Sequence, residues 1–282
     1  MREASGLSGA FVESHPADAA RVLEGLGATD TAGFVAALPP RLAAPILRHL
    51  SAPFCARVLE LLDDTQLPGL VEAMGPQAAA RVVEQLAAAR QLRLLGQISV
   101  GASIAIRLLI GYPKGTCGAC MDPWPLALVP DMPVADAIEE TRKFQGDLGD
   151  CLFVSNGQRR LLGVVAIGQL VRCGAREPLS AIMVAPAHVI SALASARAVA
   201  GHPGWDVYHV LPVVERENRL VGALHRHALT AALSGLLAQS QPAVASGLFG
   251  QYWQTLAALA EVVIEILPRV PAVADERRKN ER

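Results

Sequence analysis

At 282 residues and a net charge of −1, the chain is long enough for two ordinary domains and carries no basic stripe that would mark a nucleic-acid binder. About half of it is apolar (52%) and only 4% is aromatic, a balance suited to small, tightly packed Ala/Leu/Val elements. Five cysteines, an odd number, do not make a disulfide framework and point to a reducing cytosol.

The opening residues, MREASGLSGAFVES, have no apolar run after a basic start, so no secretory signal is expected. Residues 178–196 and 227–260 carry no Asp, Glu, Lys or Arg. Pro178, Pro186 and His188 break the first stretch, and Gln239, Gln241, Pro242, Gln251 and Gln254 break the second. Neither offers the roughly 20 predominantly apolar residues of a spanning helix, and no transmembrane segment is expected.

The first third repeats every twelve residues. Leu26, Leu38, Leu50, Leu62, Met74, Leu86 and Ile98 share one phase; the residues three and four places before each are also apolar throughout. Offsets of three and four define one helix face. Twelve residues make about 3.3 turns, so a continuous helix would swing that face by about 120° per repeat. The helix must break inside each unit. Pro16, Pro40 and Pro76 stand where a first-turn proline starts a new helix, and Pro53 lies one place later. The pattern predicts a superhelix of short stacked helices from about residue 13 to 105.

From Pro123 the texture turns mixed. Residues 126–129 read as a strand and 133–145 as an amphipathic helix. Residues 151–154 and 161–165 are strands around the Asn156-Gly157 turn signal, and a short helix follows from Ile167. The order then recurs: a strand at 188–190, a helix at 192–200, apolar runs at 207–214 and 220–224, and another helix. Leu152-Phe153-Val154 precedes Gly163 by the same interval as Leu211-Pro212-Val213 precedes Gly222. Two β-α-β-β-α units therefore stand in tandem.

LFVSNGQRRLLGVVAIGQL and LPVVERENRLVGALHRHAL resemble the second halves of CBS motifs. Residues 118–123 and 179–183 resemble their lead-ins. With the helical repeats in front, the order over residues 13–236 is similar to the cytosolic half of MgtE-type magnesium transporters. The resemblance implies an α+β multi-domain fold: an all-α superhelix of short helical repeats (13–105), a tandem CBS pair (106–236, its units at 117–175 and 179–236), then a C-terminal amphipathic helix (245–270) and a charged tail (271–282). It also explains YPKGTCGACMDP, residues 112–123, as the joint between superhelix and first CBS unit. A structural zinc would need two more ligands, so Cys117 and Cys120 are expected to be small core residues.

The resemblance implies nucleotide pockets whose ribose-binding Asp opens the last helix of each unit. Those positions are Gln169 and Ala228, and the Thr/Ser positions three residues earlier are Ala166 and His225. Both carboxylates are absent, and nucleotide binding is not expected. The family senses Mg²⁺ with carboxylates between superhelix and CBS pair. The candidates here are Asp63, Asp64, Asp131 and Asp136, with Glu139, Glu140, Asp147 and Asp150 nearby. His225-Arg226-His227 invites a metal or pH-switch reading, but alternate residues of a helix do not share a face, so a two-His clamp is not expected. No nucleophile, phosphate loop or metalloprotease motif occurs in the right context, and no enzyme activity is expected.

Residues 248–267 align Phe249, Trp253, Leu256, Ala260, Val263 and Leu267 in one stripe, with Glu261 and Glu265 off it. This helix is expected to dock on protein rather than membrane. The expected function is a soluble cytoplasmic regulatory or sensor module with weakened ligand sites. The alternative is a non-catalytic interaction scaffold that binds neither nucleotide nor metal. Its expected partners are a second copy of itself through the CBS units and a membrane transporter or another protein.

Overall fold

A computed structural model of the chain describes residues 11–186 and 188–240, with side chains through residue 234. The predicted C-terminal helix and tail lie outside the described residues. Short helices occupy Pro16–Leu26 (α1), Ala28–Ala36 (α2), Pro40–His49 (α3), Ala52–Leu61 (α4), Leu67–Met74 (α5), Pro76–Val83 (α6), Ala88–Gln97 (α7) and Val100–Ile110 (α8). Pro16, Pro40 and Pro76 each begin their helix, where a missing N–H costs nothing.

Helices pack on the helix two places ahead, α1 on α3, α2 on α4 and so on to α6 on α8. The middle column of the repeat (Leu23, Val35, Leu47, Leu59, Val71, Val83 and Leu95) is buried at every position. Each such side chain contributes about 1.5–3 kcal/mol of burial. The other two columns are buried from Ile46 onward. At the N-terminal end Val22 is 62% and Leu26 58% exposed, because among the described residues no preceding pair of helices stacks on α1.

The repeat also carries a polar stitch that apolar spacing does not reveal. Glu24, Glu60 and Glu72 share one phase of twelve. Each carboxylate accepts a backbone N–H just ahead of the helix three places on: Ser51 N–H at 2.7 Å, Ala87 N–H at 3.3 Å, and Ser99 N–H. A helix start leaves N–H groups unpaired, and a carboxylate there satisfies one and favours the helix dipole. Arg48, in the same phase, donates instead to the last carbonyls of α5, Met74 O at 2.8 Å and Ala73 O at 2.6 Å. Glu84 pairs with Lys114 at 3.3 Å.

Two three-stranded sheets follow, with one topology. In the first, Ala127–Leu128 (β1) runs parallel to Cys151–Ser155 (β2), which pairs antiparallel with Leu161–Ala166 (β3). In the second, Ile190–Ser191 (β4), Val210–Val214 (β5) and Leu220–His225 (β6) repeat the arrangement. Val154 faces Gly163 and Val213 faces Gly222, each beside an irregularity in register. The helices are Val134–Lys143 (α9), Ile167–Leu170 (α10), Leu179–Ile182 (α11), Ala196–Val199 (α12) and Arg226–Ser240 (α13).

Two local expectations are corrected, and a third is refined. The helix expected over 192–200 is confined to Ala196–Val199, since Ala192 N–H donates to Val214 O and extends the sheet edge. The strand expected from residue 207 starts at Val210, after a 3₁₀ turn at Pro203–Asp206. The hairpin expected at Asn156-Gly157 is present, closed by Asn156 as a side-chain clamp. Asn156 Oδ1 accepts Gln158 N–H at 3.0 Å and Arg160 N–H at 2.9 Å, and Arg159 takes the positive φ.

The two lead-ins cross over. Asp122 bridges to Ala223 on β6, and Val184 bridges to Val164 on β3. Met121 thus lies over Gly222 of the second unit and Met183 over Gly163 of the first. A Cβ on Gly222 would meet Met121 Sδ at 2.5 Å, and one on Gly163 would meet Met183 Sδ at 2.8 Å. Each sheet is covered by a methionine that precedes the other unit.

Candidate functional site

The ends of β3 and β6, each three residues past its glycine (Gly163, Gly222), mark where the pocket positions fall. Ala166 is the last residue of β3, and Gln169 lies in the single turn of α10. Both are half-buried, with no carboxylate among the four pocket positions. In the second unit His225 closes β6 and is buried at 6% exposure, while Ala228 sits in the first turn of α13.

This placement corrects the expectation for the two histidines. His225 ends a strand, so the argument from alternate helix residues does not apply to it. His227 belongs to the helix, and the strand-to-helix corner swings both rings to one side, with ring centres 5.4 Å apart. Both meet Asp147, in the loop before β2 of the first unit. His225 Nδ1 lies 3.5 Å and His227 Nε2 3.4 Å from Asp147 Oδ2. Burial holds the His225 pKa below its usual value, although Asp147 and Asp122 oppose that shift, so its ring is neutral at pH 7. Burial likewise raises the carboxyl of Asp122.

The cavity beside this cluster is lined by Leu126, Asp147, Gly149, Leu152, Ala223 and His225, among others, and measures about 10 Å³. That is room for one water molecule. A larger groove of about 340 Å³ opens between α9 and α10, walled by Val134, Ile138, Ile167, Leu170 and Val171.

The acidic candidates do not converge. Asp64 is held by Arg90 at 3.0 Å and Arg93 at 3.5 Å, and Asp63 stands exposed beside it. Asp131 and Asp136 are exposed before and within the first turn of α9. Glu139 and Glu140 pair with Arg142 and Lys143 on the same helix. Asp150 accepts His209 N–H at 2.9 Å and lies 3.2 Å from its Nδ1, tying the two units together.

Cys117 is fully buried, and burial pushes its thiol up to about 12 and that of Cys120 to about 11. The segment is pinned by Cys117 N–H to Ala194 O and Gly118 N–H to Ala192 O, at 2.9 and 2.8 Å. These are core residues of the joint.

A stack of short helices leading into a crossed pair of β-α-β-β-α units defines a two-part module, a helical superhelix joined to a tandem pair of small three-stranded sheets. Residues 14–115 match the family model of the MgtE intracellular N domain. The cytosolic domain of the Mg²⁺ channel MgtE, crystallised in complex with ATP, shares the fold with a TM-score of 0.74. The sequences are 22% identical, over 82% of this chain and 98% of that one. The soluble part of a magnesium transporter shares it with a TM-score of 0.52 and 15% identity, over 83% of this chain and 98% of the other. No curated protein matches the chain in sequence. Among the described residues no helix is long and apolar enough to cross a membrane.

Proposed function

We propose that the protein is a cytoplasmic, non-catalytic regulatory module that answers to a partner, with the Mg²⁺ and nucleotide sites of its structural relatives weakened or lost. The observation that carries this is the common architecture of superhelix and CBS pair with the cytosolic domain of a Mg²⁺ channel. A movement of the superhelix against the CBS pair is the signal such a module transmits, to a membrane transporter or another protein.

The state of the ligand positions supports the second half of the proposal. A ribose diol needs a carboxylate to accept both hydroxyl hydrogens; Gln169 can accept one, and Ala228 none. The small cavity beside His225, about 10 Å³, supports the same reading. Asp64, the candidate carboxylate on the superhelix side with the closest cations, is occupied by two guanidinium groups. These losses also favour the scaffold alternative, in which binding to a partner is the whole function.

The groove between α9 and α10 supports self-association through the CBS units, since Val171 at its edge is 78% exposed and an isologous contact needs one self-complementary patch. Calorimetric titration with MgCl₂ and with ATP or AMP tests the proposal. No nucleotide binding tighter than high micromolar is expected, and a low-micromolar ATP complex would overturn the loss of the pockets. A monomer mass by light scattering at tens of micromolar would overturn the dimer.

A further inference from the structure

We propose that Asp147, His225 and His227 form a binding site for a borderline divalent transition-metal ion of the Zn²⁺ class, clamping one CBS unit to the other. One donor atom from each residue can be chosen so that all three lie within 4.8 Å of one another. The two measured edges, 3.4 and 3.5 Å from imidazole nitrogen to Asp147 Oδ2, are longer than the roughly 2.7–3.2 Å of an ordinary N–H···O bond. They are close to the edge of a tetrahedron whose ligands stand about 2.0–2.1 Å from zinc, which is about 3.3 Å. With all three donor atoms within 4.8 Å of one another, a single ion placed between them can reach each of them.

The donor set selects the ion. Two imidazoles and one carboxylate suit Zn²⁺, Co²⁺ or Ni²⁺, whereas Mg²⁺ takes oxygen ligands. Among the described residues no Lys or Arg pairs with Asp147, and the intervening Arg226 turns away and donates to Trp205 O at 3.1 Å. His227 and Asp147 are exposed on their outer sides, which gives an ion a way in and leaves a fourth position for water. The site stands independently of any regulatory role, since it rests on side chains within the CBS pair alone.

The test uses the whole chain, stripped with chelator and titrated with ZnCl₂ by calorimetry, and with CoCl₂ followed by visible absorption. One ion per chain is expected, tighter than about 10 μM, with cobalt d–d bands of a low-coordinate site and no displacement by millimolar Mg²⁺. His227→Ala and Asp147→Asn change exposed side chains and should keep the fold. Each should weaken binding by at least about 100-fold, since even groups behind metal ligands are worth 10–100-fold. His209→Ala, outside the cluster, should leave it unchanged. Absence of saturable Zn²⁺ binding, equal binding by His227→Ala, or a thiolate-to-cobalt charge-transfer band placing the ion on cysteines would each overturn the proposal.

Discussion

The Tyr112 hydroxyl donates to Glu215 Oε1 at 2.7 Å, joining the end of the superhelix to the hairpin of the second β-α-β-β-α unit across 103 residues of sequence. Burial and this carboxylate together hold the phenol well above its usual pKa. Tyr112→Phe should therefore lower stability by about 1 kcal/mol, the ordinary net worth of such a bond. A double-mutant cycle with Glu215→Gln, read by urea midpoints, should show the two changes to be coupled. Strict additivity would mean that the contact joins nothing.

The crossed methionines predict an asymmetry between two alanine substitutions. In Gly222→Ala the new Cβ meets Asp122 O at 2.6 Å as well as Met121, and that carbonyl is fixed in a β-bridge. In Gly163→Ala the three nearest atoms all belong to the flexible Met183 side chain. Gly222→Ala should cost about 2–3 kcal/mol and Gly163→Ala clearly less. Thermal unfolding of the two variants side by side decides it.

The glutamate stitches predict a series along the superhelix. Glu60→Ala should cost about 1 kcal/mol, as other lost helix caps do, whereas Glu60→Gln keeps an acceptor and should recover most of it. Equal losses for both variants in chemical denaturation would show that charge, not the cap, is what matters there.

Alkaline stability follows from the thiols. Burial pushes Cys55, Cys117 and Cys151 up to about 12, while an unfolded cysteine titrates near 8.5. Below pH 8 both states hold the proton and these groups leave stability unchanged. As pH climbs from about 9 towards 12 the unfolded state loses its protons first. Each thiol then removes up to about 1.4 kcal/mol per pH unit. Denaturation of the wild type and Cys117→Ala at pH 8 and pH 10 should show a smaller drop in the variant. An equal drop would assign the effect to other groups.

Much of the fold is legible in the residues because its burial is periodic. The seven positions from Leu23 to Leu95 are apolar and all are buried, and helix-opening prolines mark where the periods break. What stays hidden depends on chain partners distant in sequence. Glu24, Glu60 and Glu72 look like surface charges until Ser51, Ala87 and Ser99 stand opposite them. The glycine of each strand pair can be seen, but not which methionine covers it. The Asp147 cluster was illegible for a definite reason. Whether His225 and His227 share a side depends on where the strand ends, and a boundary shift of one residue changes the answer. Asp147 joins them from another unit without any local signal.

The crossing of Met121 and Met183 also constrains how the protein is made. Synthesis runs from the N-terminus, so the first sheet is complete at Ala166 and receives its cover when Met183 emerges soon afterwards. Met121 has no such luck: its seat, Gly222, belongs to the last strand produced, and Met121 stays without it until the ribosome has passed that strand. A nascent chain stopped between the two units therefore carries an apolar side chain with nowhere to go, a ready target for a chaperone, and the second unit completes the first.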